Sequence, residues 1–245
     1  MPSTSKDSVV VLLKGGRLPT WDRLSPDTQR TYSQEHVDLM LSVARDHGML
    51  RLEGFKLMSP RERWQRFWVI EFPSLEGAEA WIDAEMAPPY GRFGYYEYYL
   101  DRRFPTDHLA GWVINPPPSE ATPSEVDPHI IPTLNAVRSS VIVLLFGRLL
   151  PGADAKSPQD RGDDVHVELM QSVAHEHGLM RIEAFQLIAP QPDWHRAWVM
   201  EFPELAGAEA WMDNEVLPLH GGYTNKSMAL ARKWAPSYFA AWVPR

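Results

Sequence analysis

Two histidines, His36 and His166, stand at the start of nearly identical amphipathic runs, HVDLMLSVARDHGMLRLE and HVELMQSVAHEHGLMRIE. At a helix N-terminus the macrodipole favours neutral imidazole, the form competent as a general base. A general base needs a carboxylate partner and a cation for developing negative charge. The candidate carboxylates are Glu53 and Glu183, at the ends of those runs, with Glu71 and Glu201 in EFPSLEGAEAWIDAE and EFPELAGAEAWMDNE. The candidate anion or oxyanion holders are Arg51, Arg181, Arg66 and Arg196. Trp68, Trp198, Tyr95 and Tyr99 supply apolar walls for a small, aromatic or polyketide-like substrate. Each residue also has a plainer reading: Arg51 with Glu53 as a structural ion pair, His36 as a packed side chain, the tryptophans as core.

These residues come in pairs because the chain is written twice. A shift of 130 residues superposes His36 on His166, Glu53 on Glu183, Arg66 on Arg196 and Glu71 on Glu201. Nearly half of the aligned positions are identical, and the period is far longer than that of solenoid repeats. Repeats are expected over residues 8–113 and 140–245, joined by a Pro-rich linker over 114–139.

Each copy reads β-α-β-β-α-β. Val9–Leu13 is a buried strand, and a helix opens near Ser33 or Gln34 and stops at Gly48. Strands over Met49–Met58 and Phe67–Phe72 follow, then a helix capped by Ser74 and a tyrosine-rich strand over Tyr95–Arg102. This is the ferredoxin-like split βαβ, an α+β fold with both helices on one face of a four-stranded antiparallel sheet. The uncovered face needs a partner. Two repeats are therefore expected to pair their sheets into an intramolecular, pseudo-dimeric α/β barrel. On the second strand Arg51, Glu53, Phe55 and Leu57 alternate away from the helices; on the last strand Tyr95, Glu97, Tyr99 and Asp101 do the same. The second copy carries Asn225, Ser227, Ala229 and Ala231 there, so a single roomy pocket is expected on that side.

The helix-start histidine, the glycine at the helix end and the passage VIEFPSLEGAEAW resemble the dimeric α/β-barrel superfamily, and within it the YCII-like, stress-responsive barrels. That resemblance implies a barrel with a small-molecule pocket. It also implies a histidine paired with an aspartate, for which no aspartate matches here. Isomerase, lyase, cyclase and oxygenase chemistries recur on such barrels, so fold does not choose among them. The expectation is a cofactor-independent enzyme with a His–carboxylate proton-transfer site. A non-catalytic ligand-binding barrel is the second reading. A haem-binding barrel is the third, because one histidine suffices to hold that group.

Composition narrows the field. A net charge of -8 without a basic stripe argues against nucleic acid and anionic membranes. No cysteine is present, which removes thiolate chemistry, disulfides and Cys-ligated metal, and no metal site is expected. No secretory signal or membrane span is visible, so the cytoplasm is the expected compartment. Further homo-oligomerisation is left open.

Overall fold

The computed structural model describes residues 8–60, 64–105, 107–114, 126–189, 194–218 and 222–244. The first repeat runs β1 (Val9–Arg17), α1 (Pro26–Asp46), β2 (Arg51–Leu57), β3 (Arg66–Phe72), α2 (Leu75–Met86) and β4 (Gly94–Phe104). The second runs β5 (Val141–Leu149), α3 (Pro158–Arg161), α4 (Asp163–Glu176), β6 (Arg181–Leu187), β7 (Arg196–Phe202), α5 (Leu205–Glu215) and β8 (Thr224–Lys233). A short helix α6 (Pro236–Ala240) follows.

Helix α1 begins earlier than the spacing around Ser33 suggested. Ser25 is its N-cap, its hydroxyl accepting the Thr28 N–H at 3.1 Å, and Pro26 takes the first helical position. The helix ends where expected, with Gly48 in the left-handed region at φ 61°. The second repeat breaks the same helix at Gly162, φ 70°, so that α4 starts afresh one turn before His166.

In the first repeat β1 pairs with β3 and β4, and β3 with β2, all antiparallel. In the second, β5 pairs with β7 and β8, and β7 with β6. Together the eight strands form one antiparallel sheet in the order β1-β3-β2-β8-β5-β7-β6-β4, a closed barrel, as the doubled sequence implied.

Alternation divides each sheet as the sequence suggested. In the first repeat Val11, Leu13, Leu52, Ile70 and Phe72 pack under α1 and α2 with Met40, Ala44, Ala78 and Trp81. The neighbouring positions Leu12, Phe55, Val69 and Tyr99 are buried on the other face. The second repeat places Leu145, Met200 and Phe202 under Met170, Ala174 and Trp211.

The chain after each last strand does not stay with its own repeat. The core under α1 and α2 includes Trp234, Tyr238, Phe239 and Trp242. Trp242 lies 6.4 Å from Trp81, and Phe239 meets Trp68 edge-on at 4.6 Å. The core under α4 and α5 takes Leu109 and Trp112 instead, with Trp112 6.2 Å from Trp211. The compact units follow this exchange of tails rather than chain order. Most of the prolines of the linker, at 116, 117, 118 and 123, lie outside the described residues.

Candidate functional site

The residues expected to carry chemistry fall on opposite sides of each sheet. Arg51 pairs with Glu53 at 2.6 Å and Arg181 with Glu183 at 2.7 Å, both on the face away from the helices. Glu71 is buried there; it accepts from the Ser8 hydroxyl at 2.8 Å and from the Arg103 guanidinium at 3.0 Å. Burial pushes its pKa up, but Arg103, Ser8 and Arg51 outweigh that and hold it below the usual carboxylate range. Glu201 accepts from the Ser140 hydroxyl at 2.6 Å. Tyr95 donates to Glu97 at 2.8 Å, and Lys14 reaches Tyr99 at 3.0 Å and Glu97 at 3.2 Å. This face is a lattice of internal bonds. The expected meeting of His36 with Glu53 or Glu71 does not occur, because strand alternation sends those carboxylates away from the helix that carries the histidine.

His36, His166, Arg66, Arg196, Trp68 and Trp198 lie on the helix side, where each repeat has a cavity between sheet and helices. The larger cavity does adjoin β8, but on the helix face, where Thr224 and Lys226 line it rather than the expected Ala229 and Ala231.

The cavity of the first repeat measures about 240 Å³. In it the His36 Nε2 lies 3.3 Å from the Glu85 carboxylate, and Tyr90 stacks on the imidazole at 3.9 Å and 12°. Burial raises the Glu85 pKa, but His36, Arg17 and Arg66 more than offset it, so the carboxylate stays ionised. Burial in turn lowers the Arg66 guanidinium to about 10, with the neighbouring Arg17 adding to the effect. The Tyr96 phenol is raised to about 12, chiefly by burial.

The cavity of the second repeat measures about 490 Å³. His166 Nε2 lies 3.5 Å from Glu215, and the Lys226 ammonium bonds the Glu215 carboxylate and its backbone carbonyl, the latter at 2.8 Å. Here too burial raises the carboxylate and the paired His166 and Lys226 pull it below its usual range. Arg148, Arg161 and Arg196 line the same space. The Arg148 Nε–H and the Trp211 indole N–H are buried without hydrogen-bond partners among the described residues.

Glu85 and Glu215 were missed as partners of the histidines. They are the last letters of the doubled phrase, EFPSLEGAEAWIDAE and EFPELAGAEAWMDNE. The signal was present: each lies four residues beyond a buried tryptophan, Trp81 or Trp211, and so on the buried face of its helix. Among the described residues no group of three or more His, Asp or Glu is gathered for a metal ion.

No family model and no curated protein sequence matches the chain. Solved structures do. A variant chlorite dismutase from Candidatus Nitrospira defluvii aligns with a TM-score of 0.67 at 8% identity, over 98% of this chain and 97% of that one. The chlorite dismutase of the same organism in complex with imidazole gives 0.66 at 9%, over 98% and 97%. A variant in complex with cyanide gives 0.65 at 10%, over 98% and 95%. At these identities the likeness establishes the fold alone, a ferredoxin-like α+β barrel built from two repeats. It also corrects one expectation. The expected enzyme was cofactor-independent, with haem as a further reading, whereas these chlorite dismutase-like neighbours are haem-dependent enzymes.

Proposed function

We propose that this protein is a haem-binding barrel enzyme, with the group held in the cavity of the second repeat by His166. The observation that carries the reading is the His166–Glu215–Lys226 chain on the wall of the larger cavity. A metal-bound imidazole is characteristically fixed by a carboxylate on its other ring nitrogen, which orients the ring and raises its basicity. Glu215 is in place to do this, and Lys226 keeps Glu215 ionised. The apolar lining, including Trp112, Trp198 and Trp211, suits a planar aromatic body. Arg148, with its unpartnered Nε–H, together with Arg161, Arg196 and Lys226, suits carboxylate groups at its edge. The first repeat fits less well, since its cavity is smaller and Tyr90 covers the His36 ring.

Bound haem would supply redox chemistry that no side chain of this chain has. The chain's own part is to hold the imidazole, to exclude water with its tryptophans, and to attract an anion with a wall where four cations face Asp163 and Glu215. Small oxyanions are thus the favoured substrate class, and chlorite is the first to test. The YCII-like pattern is compatible with this arrangement in the second repeat, where His166 stands in the first turn of α4 and the carboxylate comes from the second helix; in the first repeat α1 starts at Pro26 and His36 lies mid-helix.

The test is titration of purified protein with hemin. A Soret band saturating at one haem per chain is expected, lost in His166→Ala and retained in His36→Ala. Absence of saturable binding to the wild type, or retention in His166→Ala with loss in His36→Ala, would refute the assignment.

A further inference from the structure

The first repeat carries a cavity of its own that the haem reading leaves unused, and its charges do not balance. Two guanidiniums, Arg17 and Arg66, line it beside a single carboxylate, Glu85, which already serves His36. Both arginines are flanked by aromatic faces, and the one acid that acts on them is the shared Glu85. The Arg17 guanidinium lies 3.7 Å from the centre of the Tyr90 ring and 4.6 Å from that of Trp21, and Arg66 lies 4.3 Å from Trp234. Burial lowers the pKa of each, so both are held at a cost in solvation. Two buried cations share one carboxylate, and the positive charge left over is expensive to bury unless an anion binds beside it.

The floor beside Arg66 is a glycine. Gly15 stands opposite Arg66 in the β1–β3 ladder, and Arg17 is two residues further along the same face. A Cβ at Gly15 would approach nothing closer than 3.5 Å, so neighbours do not demand the glycine; its effect is to leave space. The Trp81 indole N–H, which lines the same cavity, is buried without a hydrogen-bond partner among the described residues. A donor is thus also waiting for an acceptor.

The copies have diverged here. Where β1 ends with Arg17, opposite Gly94, β5 ends with Leu149, opposite Thr224. The combination of Arg17 with Arg66 belongs to the first repeat, and the second cavity draws its arginines from Arg148, Arg161 and Arg196 instead.

The geometry points to a second ligand site in the first repeat, for a small aromatic carboxylate whose anion bridges Arg17 and Arg66 and whose ring lies among Trp68, Trp234 and Phe239. A cavity of about 240 Å³ is below the range of drug-sized sites and suits a body of one or two rings. A planar carboxylate matches the guanidinium fork in a way that a spherical halide does not.

The experiment uses the full-length protein with 1-naphthoate as probe and the uncharged 1-naphthalenemethanol as its control, followed by calorimetry and tryptophan fluorescence. Saturable binding of the naphthoate at one site is expected, with the alcohol at least about tenfold weaker, the loss expected for hydrogen bonds to a charged group. Arg66→Met and Arg17→Leu, the latter installing the residue of the second repeat, should each weaken naphthoate by about tenfold. Arg196→Met, in the other cavity, should leave it unchanged, and so should prior loading with hemin. Equal affinity for acid and alcohol overturns the proposal. So does naphthoate binding that is lost in Arg196→Met or displaced by hemin, which would put the probe in the second cavity. Thermal melts of the variants establish folding, and a naphthoate-dependent rise in wild-type melting temperature supplies a readout that needs no variant.

Discussion

Asp101 should make this protein less stable as pH rises through neutrality. It lies on β4 opposite Val10, on the sheet face away from the helices, and is fully buried. Neither carboxyl oxygen has a hydrogen-bond partner among the described residues. Glu71, on the other side of Val10, is already engaged by Ser8 and Arg103. Burial alone therefore sets the Asp101 pKa, pushing it up to about 8. An unfolded aspartate titrates near 3.9, so between these values the folded state binds the extra proton and stability falls with rising pH. The penalty works out at about 2 kcal/mol at pH 5.5 and about 4 kcal/mol at pH 7, and it levels off above pH 8. Asp101→Asn keeps the shape and removes the titration. Urea unfolding of both proteins from pH 4 to pH 9 should show the variant gaining on the wild type by about those amounts, with near equality at pH 4. A difference that is constant across that range would show that Asp101 is ionised and paired in the fold, and would refute the reasoning.

Other outcomes follow from the packing. A Cβ at Gly77 would lie 2.7 Å from Phe72 Cδ1, and one at Gly207 would lie 2.7 Å from Phe202 Cδ1 and 2.8 Å from His177 Cβ. Gly77→Ala and Gly207→Ala should each cost about 1–3 kcal/mol in denaturant melts although alanine is the better helix former; an unchanged midpoint would count against this close helix packing. The lowered Glu85 pKa contributes stability that is present above the unfolded value near 4.3 and is lost as pH falls through the folded one. Glu85→Gln should thus flatten the acid limb of the stability profile, and an unaltered limb would mean the His36–Glu85 pair does not form. Ser25→Ala removes the α1 cap and should cost about 1 kcal/mol, read by the same melts.

The sheets were legible because alternation is a strict code. Leu52 against Arg51 and Glu53, and Ile70 against Val69 and Glu71, declared their faces from spacing alone, and the structure keeps every one of them. The doubling of the sequence likewise specified two copies of one fold. The exchange of tails was not legible. Trp112 and Trp242 occupy matching places, and a matching pattern says that each tryptophan is buried without saying under which helices. The site was half legible. The histidines and Arg66 were found by type and position, but their carboxylate was sought by nearness along the strands. It comes instead from the last turn of the second helix, where Glu85 lies one turn beyond the buried Trp81.

Why, then, would a duplicated chain keep the His–Glu pair in both copies and change what surrounds it? An ionised carboxylate buried beside an imidazole is unstable alone, so each copy must supply a cation to Glu85 or Glu215. The second copy does so with Lys226 directly on the carboxylate, which leaves the cavity large and the imidazole accessible from it. The first copy carries Tyr96 at the position equivalent to Lys226 and supplies charge from further off, through Arg17 and Arg66. Tyr90 then closes over the imidazole and the surplus cation faces a smaller space. One buried carboxylate, neutralised in two ways, yields two cavities of different size and charge. That is a physical route by which duplication turns a single pocket into two cavities of different character.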